Sequence, residues 1–371
     1  MRDTVEIGVG REARRTYRLA DVSLQPARRT RSSKEVDTSW HIDAYRFDVP
    51  VVAHPTDALA GPEFVKEYAR LGGLAIINAE GLWGRHRDVG AAVRAVLDQP
   101  DAGSSNRQLQ RLHAAPIDEG LLAERIGEVR ESGATVAARV SPQRARELAP
   151  GLVAAGVELL VIQGTIISAE HVNHAGDPLN LKDFIGGLDV PVIAGGVSDY
   201  TTALHLMRTG AVGVIVGSGT NTNAEALGIG SAMATAIADA QAARRDYLDE
   251  TGGRYVHLLA DGEIATSGDI AKAIACGADA VVVDRPLARA REAAGGGFYW
   301  PSVAAHPSFP RGRVERVAEA GERPALEEIL YGPASEPDGT TNLVGGLRRA
   351  MAKCGYTDLK SFQRVGLTVA R

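Results

Sequence analysis

Gly277-Ala278-Asp279-Ala280-Val281-Val282-Val283-Asp284 decides the fold: a glycine, a short lead-in, four apolar residues without alternation, then a polar stop. The same phrase recurs in Gly72-Gly73-Leu74-Ala75-Ile76-Ile77-Asn78, in Gly156-Val157-Glu158-Leu159-Leu160-Val161-Ile162-Gln163 and in Gly210-Ala211-Val212-Gly213-Val214-Ile215-Val216-Gly217. In each, the glycine reads as the left-handed cap closing a helix, and the unbroken apolar run as a strand buried on both faces. Runs near Val49 to Ala53, Thr135 to Val140, Val190 to Ala194 and Tyr255 to Ala260 bring the series to eight. Eight alternations of strand and helix predict an α/β chain folded as a closed (β/α)8 TIM barrel rather than an open sheet. In such barrels the chemistry sits where the strands end.

The remaining composition narrows the class. A chain of 371 residues with 44% hydrophobic residues suits one large barrel domain spanning residues 1–371. A net charge of −5 gives no electrostatic footprint for nucleic acid. No apolar run reaches bilayer length and Met1-Arg2-Asp3-Thr4 begins no signal peptide, so no membrane role and a cytoplasmic location are expected. Two cysteines, Cys276 and Cys354, make neither a disulfide scaffold nor a thiolate zinc site, and no His, Cys or carboxylate spacing resembles a metal-ligand set.

Three segments stand outside the repeat. Residues 1–45 form an N-terminal arm whose arginines (Arg11, Arg14, Arg15, Arg18, Arg28, Arg29, Arg31) alternate with Glu12, Asp21, Glu35 and Asp37. That mixture predicts an ordered arm packed across the barrel or against a neighbouring subunit. Residues 84–118 form an excursion with helical spacing at Val89, Ala92, Val93 and Val96 and at Leu109 and Leu112, around a turn at Gln99 to Ser105. Residues 293–340, opened by Gly295-Gly296-Gly297-Phe298-Tyr299-Trp300-Pro301, read as a flap-like excursion, because loops of that length are usually lids. A final amphipathic helix, Asn342 to Lys353, is expected to cover a barrel end.

The strand ends supply the candidate site. They read His54-Pro55-Thr56-Asp57, Asn78-Ala79-Glu80, Gln163-Gly164-Thr165, Gly195-Gly196-Val197, Gly217-Ser218-Gly219-Thr220-Asn221-Thr222-Asn223, Asp261-Gly262-Glu263 and Asp284-Arg285. Glycines let backbone amides approach a ligand, so Gly217, Ser218 and Gly219 read as a phosphate cradle or, more blandly, as a simple turn. His54 reads as a general acid or a structural histidine, and Asp261 as a sugar ligand or a strand-end hydrogen-bond acceptor.

The chain resembles the IMP dehydrogenase/GMP reductase family, in its short branch without paired regulatory domains. Tyr17-Arg18-Leu19-Ala20-Asp21-Val22-Ser23-Leu24-Gln25-Pro26, Ala53-His54-Pro55-Thr56-Asp57-Ala58-Leu59, Tyr255-Val256-His257-Leu258-Leu259-Ala260-Asp261-Gly262 and Ser267-Gly268-Asp269-Ile270-Ala271-Lys272-Ala273 carry it, in order. The resemblance runs on to Asn342-Leu343-Val344-Gly345-Gly346-Leu347. It implies a purine nucleotide ligand or a derivative, NAD(P), a homo-oligomer (tetramer or octamer), and an arginine on the flap, for which Arg311 and Arg313 are the candidates.

The chain departs from the family where the family works. The resemblance implies a cysteine nucleophile in the loop after the sixth strand; Thr220, Asn221 and Thr222 stand there, and a threonine hydroxyl would need a strong base beside it. It also implies Asp-Gly-Gly and Gly-Ser phosphate seats, replaced by Asp261-Gly262-Glu263 and Asp284-Arg285. A carboxylate about 4 Å from one phosphate charge costs on the order of 4 kcal/mol at an effective dielectric near 20. Arg285 either restores phosphate binding or pairs with Asp284 or Glu263 and closes the pocket. Three functions follow: a purine-nucleotide oxidoreductase without the thiol adduct, a catalytically silent nucleotide- or partner-binding barrel, and a barrel repurposed for an unphosphorylated or cationic ligand.

Overall fold

The computed structural model describes residues 4–165, 167, 179–319 and 321–369. Eight parallel strands close into a barrel: β1 (Val51–Ala53), β2 (Leu74–Asn78), β3 (Ala137–Val140), β4 (Leu159–Gln163), β5 (Val192–Val197), β6 (Gly213–Gly217), β7 (His257–Asp261) and β8 (Ala280–Val283). The ring closes where Val281 and Val283 of β8 register with Val51 and Ala53 of β1. The strand side chains are buried on both faces apart from the partly exposed His257, which is why the sequence runs do not alternate. The glycines read as caps do adopt positive φ: Gly72 at +82°, Gly156 at +107°, Gly210 at +99° and Gly277 at +126°. Among the described residues no helix is long and apolar enough to cross a membrane.

The arm packs across the barrel. Arg14 forms an ion pair with Asp239 and the Tyr17 amide donates to Thr235 at 2.8 Å, both on the Met233–Glu250 helix. A hairpin of Trp40–Ile42 and Tyr45–Phe47 inserts Trp40, Ile42 and Phe47 into the core, with Ile42 against Gly213 at the start of β6. That hairpin covers the end of the barrel opposite the strand C-termini.

The excursion at 84–118 forms two helices, Val89–Leu97 and Ala102–His113. The turn between them is shorter than expected, because Asp101 caps the second helix by accepting from the Ser104 amide at 2.8 Å. These helices form a satellite core with the flap, in which Val93, Val96 and Leu109 meet Trp300 and Ala304. The C-terminal helix Leu343–Lys353, capped by Asn342, does not cover a barrel end. Its apolar face packs on the Ser267–Cys276 helix and fills the eighth place in the outer ring. The helix after β8, Arg285–Ala288, spans only four residues and leaves that place open.

Candidate functional site

The C-terminal rim of the barrel carries two cavities of opposite polarity that share Thr165. The first, about 270 Å³, lies over β5 to β7. Its wall includes Gly217, Ser218, Gly219, Gly262 and three carboxylates, Asp199, Asp261 and Glu263; among the described residues no Lys, Arg or His lines it.

Asp261, at the end of β7, is 1% exposed. Its Oδ2 accepts from Gln163 Nε2 at 2.7 Å, and His54 Nε2 stands 3.5 Å from the same oxygen. The His54 contact lacks hydrogen-bond alignment, so both nitrogens of this buried ring are without a hydrogen-bond partner. Burial works against a charged imidazole here, but Asp261 and then Asp284 outweigh it and hold the His54 pKa above its ordinary value. His54 lies one layer beneath the cavity, under Gly219. A Cβ at Gly219 would come within 2.7 Å of His54 Nε2, and φ there is +72°, so the position requires glycine twice over.

Glu263 has φ +58°, a left-handed conformation costly for a side-chain-bearing residue. Its carboxylate accepts from the Leu19 amide of the arm at 2.8 Å and lies near the backbone N–H of Met233, which lowers its pKa. Met233 opens the Met233–Glu250 helix, so this carboxylate occupies a helix N-terminus, a place suited to an anion. Burial raises the Glu263 pKa, and the two amides pull it part of the way back.

The sixth-strand loop spends its amides internally. Gly219 N–H donates to the Asp261 carbonyl at 2.9 Å, Thr220 N–H to Asp284 Oδ2 at 3.0 Å and Thr222 N–H to the Arg311 carbonyl at 3.0 Å. Thr220, Asn221 and Thr222 line a further space of about 330 Å³ beside Arg285 and Glu315, and Asn221 also lines the first cavity. Glu225, the nearest carboxylate in the loop, is exposed.

Asp284 is a structural knot and not part of the acidic wall. It accepts from the amides of Thr220 and Arg285 and from Tyr299 OH at 3.0, 2.6 and 3.0 Å, joining the loop, β8 and the flap. Arg285 pairs with neither Asp284 nor Glu263 through its side chain; it forms an ion pair with Glu315 of the flap and lies over the Tyr299 ring. Thr56 is buried, and its hydroxyl donates to the Trp300 carbonyl. Tyr299 and Trp300 are each 1% exposed, so they anchor the flap rather than offer a stacking face. Cys276 and Cys354 are buried among the outer helices, where burial pushes the Cys276 thiol up to about 11.

The second cavity, about 450 Å³, lies over β2 to β4 beneath the flap. It is lined by four arginines, Arg85, Arg139, Arg144 and Arg311, against one carboxylate, Glu80. Arg139, within the apolar run of β3, is 8% exposed, donates to the Gln163 carbonyl at 2.6 and 3.1 Å, and lies 3.6 Å from Glu80. Sequence reasoning missed Arg139, although a charge inside a strand buried on both faces is itself a signal. Asp199 was also missed; it follows β5 and caps the Tyr200–Arg208 helix through the Thr202 amide at 3.0 Å.

Comparison with known proteins supplies the lineage. The IMP dehydrogenase / GMP reductase domain matches residues 16–307. A crystal structure of an IMP dehydrogenase/GMP reductase-like protein from Corynebacterium glutamicum is 65% identical, covers 99% of this chain and 98% of its own, and superposes with a TM-score of 0.95. A protein named an uncharacterized oxidoreductase from Mycolicibacterium smegmatis is 64% identical over 373 residues, covering 98% of this chain and 99% of that one. An inosine-5'-monophosphate dehydrogenase from Rhizobium tropici is 31% identical over 232 residues, covering 58% of this chain and 45% of that one. A barrel with these strand ends, matched over most of its length by that domain, belongs to the IMP dehydrogenase/GMP reductase family.

Proposed function

We propose that the chain is an oxidoreductase-family barrel whose rim ligand over β5 to β7 is unphosphorylated, a nucleoside or a cationic small molecule, and that it does not oxidise inosine monophosphate through a cysteine adduct. The observation that carries this reading is the wall of the acidic cavity, which holds Asp199, Asp261 and Glu263 and, among the described residues, is lined by no Lys, Arg or His. Each carboxylate about 4 Å from a phosphate charge opposes it by roughly 4 kcal/mol at an effective dielectric near 20. Glu263 also occupies the helix N-terminus at Met233 with the protein's own negative charge.

Asp261 is the polar centre of this reading. Gln163 fixes one of its oxygens, leaving acceptor capacity for a ligand hydroxyl or ammonium. His54 sits behind it, 3.5 Å from the same oxygen, and holds a proton more readily than a free imidazole. It is a positioning residue acting through Asp261. Among the described residues no thiol lines the cavity, and the Thr220 and Thr222 hydroxyls have no buried carboxylate in their loop to activate them.

NAD(P), which family membership implies, would supply hydride transfer when bound. Its phosphates do not fit the acidic cavity, for the reason just given, whereas the arginines of the second cavity have the donor chemistry they need.

Calorimetric titration of the whole chain with inosine, guanosine and their monophosphates tests the reading. Nucleosides should bind about tenfold or more tightly than their monophosphates, the ratio for roughly 1.4 kcal/mol. Glu263→Gly should narrow that gap. Tighter binding of the monophosphates to the unaltered protein would contradict it.

A further inference from the structure

The wall of the acidic cavity is one-sided in hydrogen bonding as well as in charge. Around the sixth-strand loop the donors are spent inside the protein. Besides the amides of Gly219, Thr220 and Thr222, the Asn221 carboxamide donates through Nδ2 to Ser218 Oγ at 2.9 Å and to the Ser218 and Gly219 carbonyls at 3.1 and 3.2 Å. The Asn223 amide donates to Asn221 Oδ1 at 2.8 Å, which occupies the other end of that side chain. Acceptors are left over. Asn223 lines the cavity although it is only 3% exposed, and among the described residues its buried Oδ1 has no hydrogen-bond partner. Asp199 spends two of a carboxylate's four or so acceptor positions on the Thr202 amide at 3.0 Å and hydroxyl at 2.9 Å, which leaves the rest open. A buried acceptor without a donor is costly to the folded chain, and at a cavity wall a ligand donor removes that cost.

This pattern restricts the occupant. The hydroxyls of Thr165, Ser218 and Ser231 in the wall serve as donor or acceptor. A purine base brings ring-nitrogen and carbonyl acceptors that such a wall leaves largely unpaired, whereas ammonium and guanidinium groups are donors only. A metal ion also seeks acceptors, but among the described residues no three His, Cys, Asp or Glu side chains gather closely enough to hold one. The carboxylates are spread instead: Asp199 follows β5, Asp261 and Glu263 stand at the end of β7, and the Gly217 to Gly219 loop of β6 lies between them. Strands two places apart in a sheet are separated by about 9–10 Å, a span that suits a short chain with a cation at each end. Ile167, Val197 and Met233, all buried, line the same cavity and suit the methylenes of such a chain.

We propose that the ligand of the acidic cavity is a short aliphatic diamine or guanidino-amine, held between Asp199 on one side and Asp261 with Glu263 on the other, and that Asn223 selects it by demanding an N–H donor. The proposal rests on the cavity taking an unphosphorylated ligand, and it narrows that ligand from a nucleoside or a cation to a cation whose polar groups only donate.

The test is calorimetric titration of the whole chain with putrescine, agmatine, the permethylated bis-quaternary form of putrescine, 1,4-butanediol, inosine and inosine monophosphate. Putrescine or agmatine should bind at millimolar concentration or below. The permethylated diamine, which keeps both charges and has no N–H, and the diol, which keeps hydroxyls and has no charge, should each bind about tenfold or more weakly. Asp199→Asn removes a charge and preserves the cap of the Tyr200–Arg208 helix, because Asn caps as well as Asp. Asn223→Leu removes the orphan oxygen at nearly constant volume. Each variant should weaken the amine by about tenfold. Asn223→Leu should also melt no lower than the unaltered protein, since the oxygen it loses has no donor within the described residues. Inosine binding without either amine would overturn the diamine and leave the unphosphorylated-ligand reading standing. Tighter binding of inosine monophosphate than of inosine would sink that reading itself. Equal affinity for putrescine and its permethylated form, or amine affinity unchanged in folded Asn223→Leu, would overturn the role given to Asn223.

Discussion

At the scale of single residues, the site is set by two side chains whose charge is decided by neighbours remote in sequence. His54 has a pKa above its ordinary value of 6.5, because burial is outweighed by Asp261 and Asp284. A group whose folded pKa is raised contributes stability that is fully present below the unfolded pKa and is lost as pH rises through the folded one. Denaturant melts of the protein and of His54→Gln should therefore differ most at mildly acidic pH and converge toward alkaline pH. A constant difference would mean that His54 contributes packing alone. Glu263→Gly presents two opposed effects. Relief of the left-handed backbone gains about 1 kcal/mol, and loss of the charged hydrogen bond from the Leu19 amide forfeits about 1.5–3 kcal/mol. A net loss of stability is expected, with faster hydrogen exchange at the Leu19 amide. Unchanged exchange there would show that Glu263 does not hold the arm.

At the scale of elements, the rim works by close approach of loops and by the anchoring of the flap. Gly219 and Gly252 have nearly the same φ, +72° and +68°, but a Cβ at Gly219 meets His54 whereas one at Gly252 meets open space. Both alanine variants should lose about 1–2 kcal/mol to left-handed strain. Gly219→Ala should lose more and also weaken ligand binding, and equal losses would argue against the packing of that loop on His54. Trp300 ties the flap to the helices of the 84–118 excursion. Trp300→Ala should cost about 3–5 kcal/mol and open the flap to limited proteolysis. A loss below about 1 kcal/mol would mean the flap is held elsewhere.

At the scale of the whole molecule, the barrel was legible because parallel strands buried on both faces write continuous apolar runs, four of them preceded by a glycine whose positive φ closes the helix before. The rim was legible in part, since barrel geometry puts every strand end on one face. Its polarity was not. Glu263 acts through Leu19, 244 positions away, and Arg285 reached past Asp284 to Glu315, a choice that depends on the flap. The C-terminal helix was legible as a helix, but its place in the outer ring depended on how short the helix after β8 is. Arg139 was hidden inside an apolar run that had already been read as structure. Family membership likewise fixes the scaffold and leaves the reaction open, because chemistry resides in particular residues, and Cys276 and Cys354 are buried and line neither rim cavity. The most direct measurement of that claim is the rate at which the purified full chain forms NADH from inosine monophosphate and NAD+. The account predicts no formation above a control without the nucleotide; sustained turnover, with a cysteine-linked purine intermediate seen by intact mass, would contradict it.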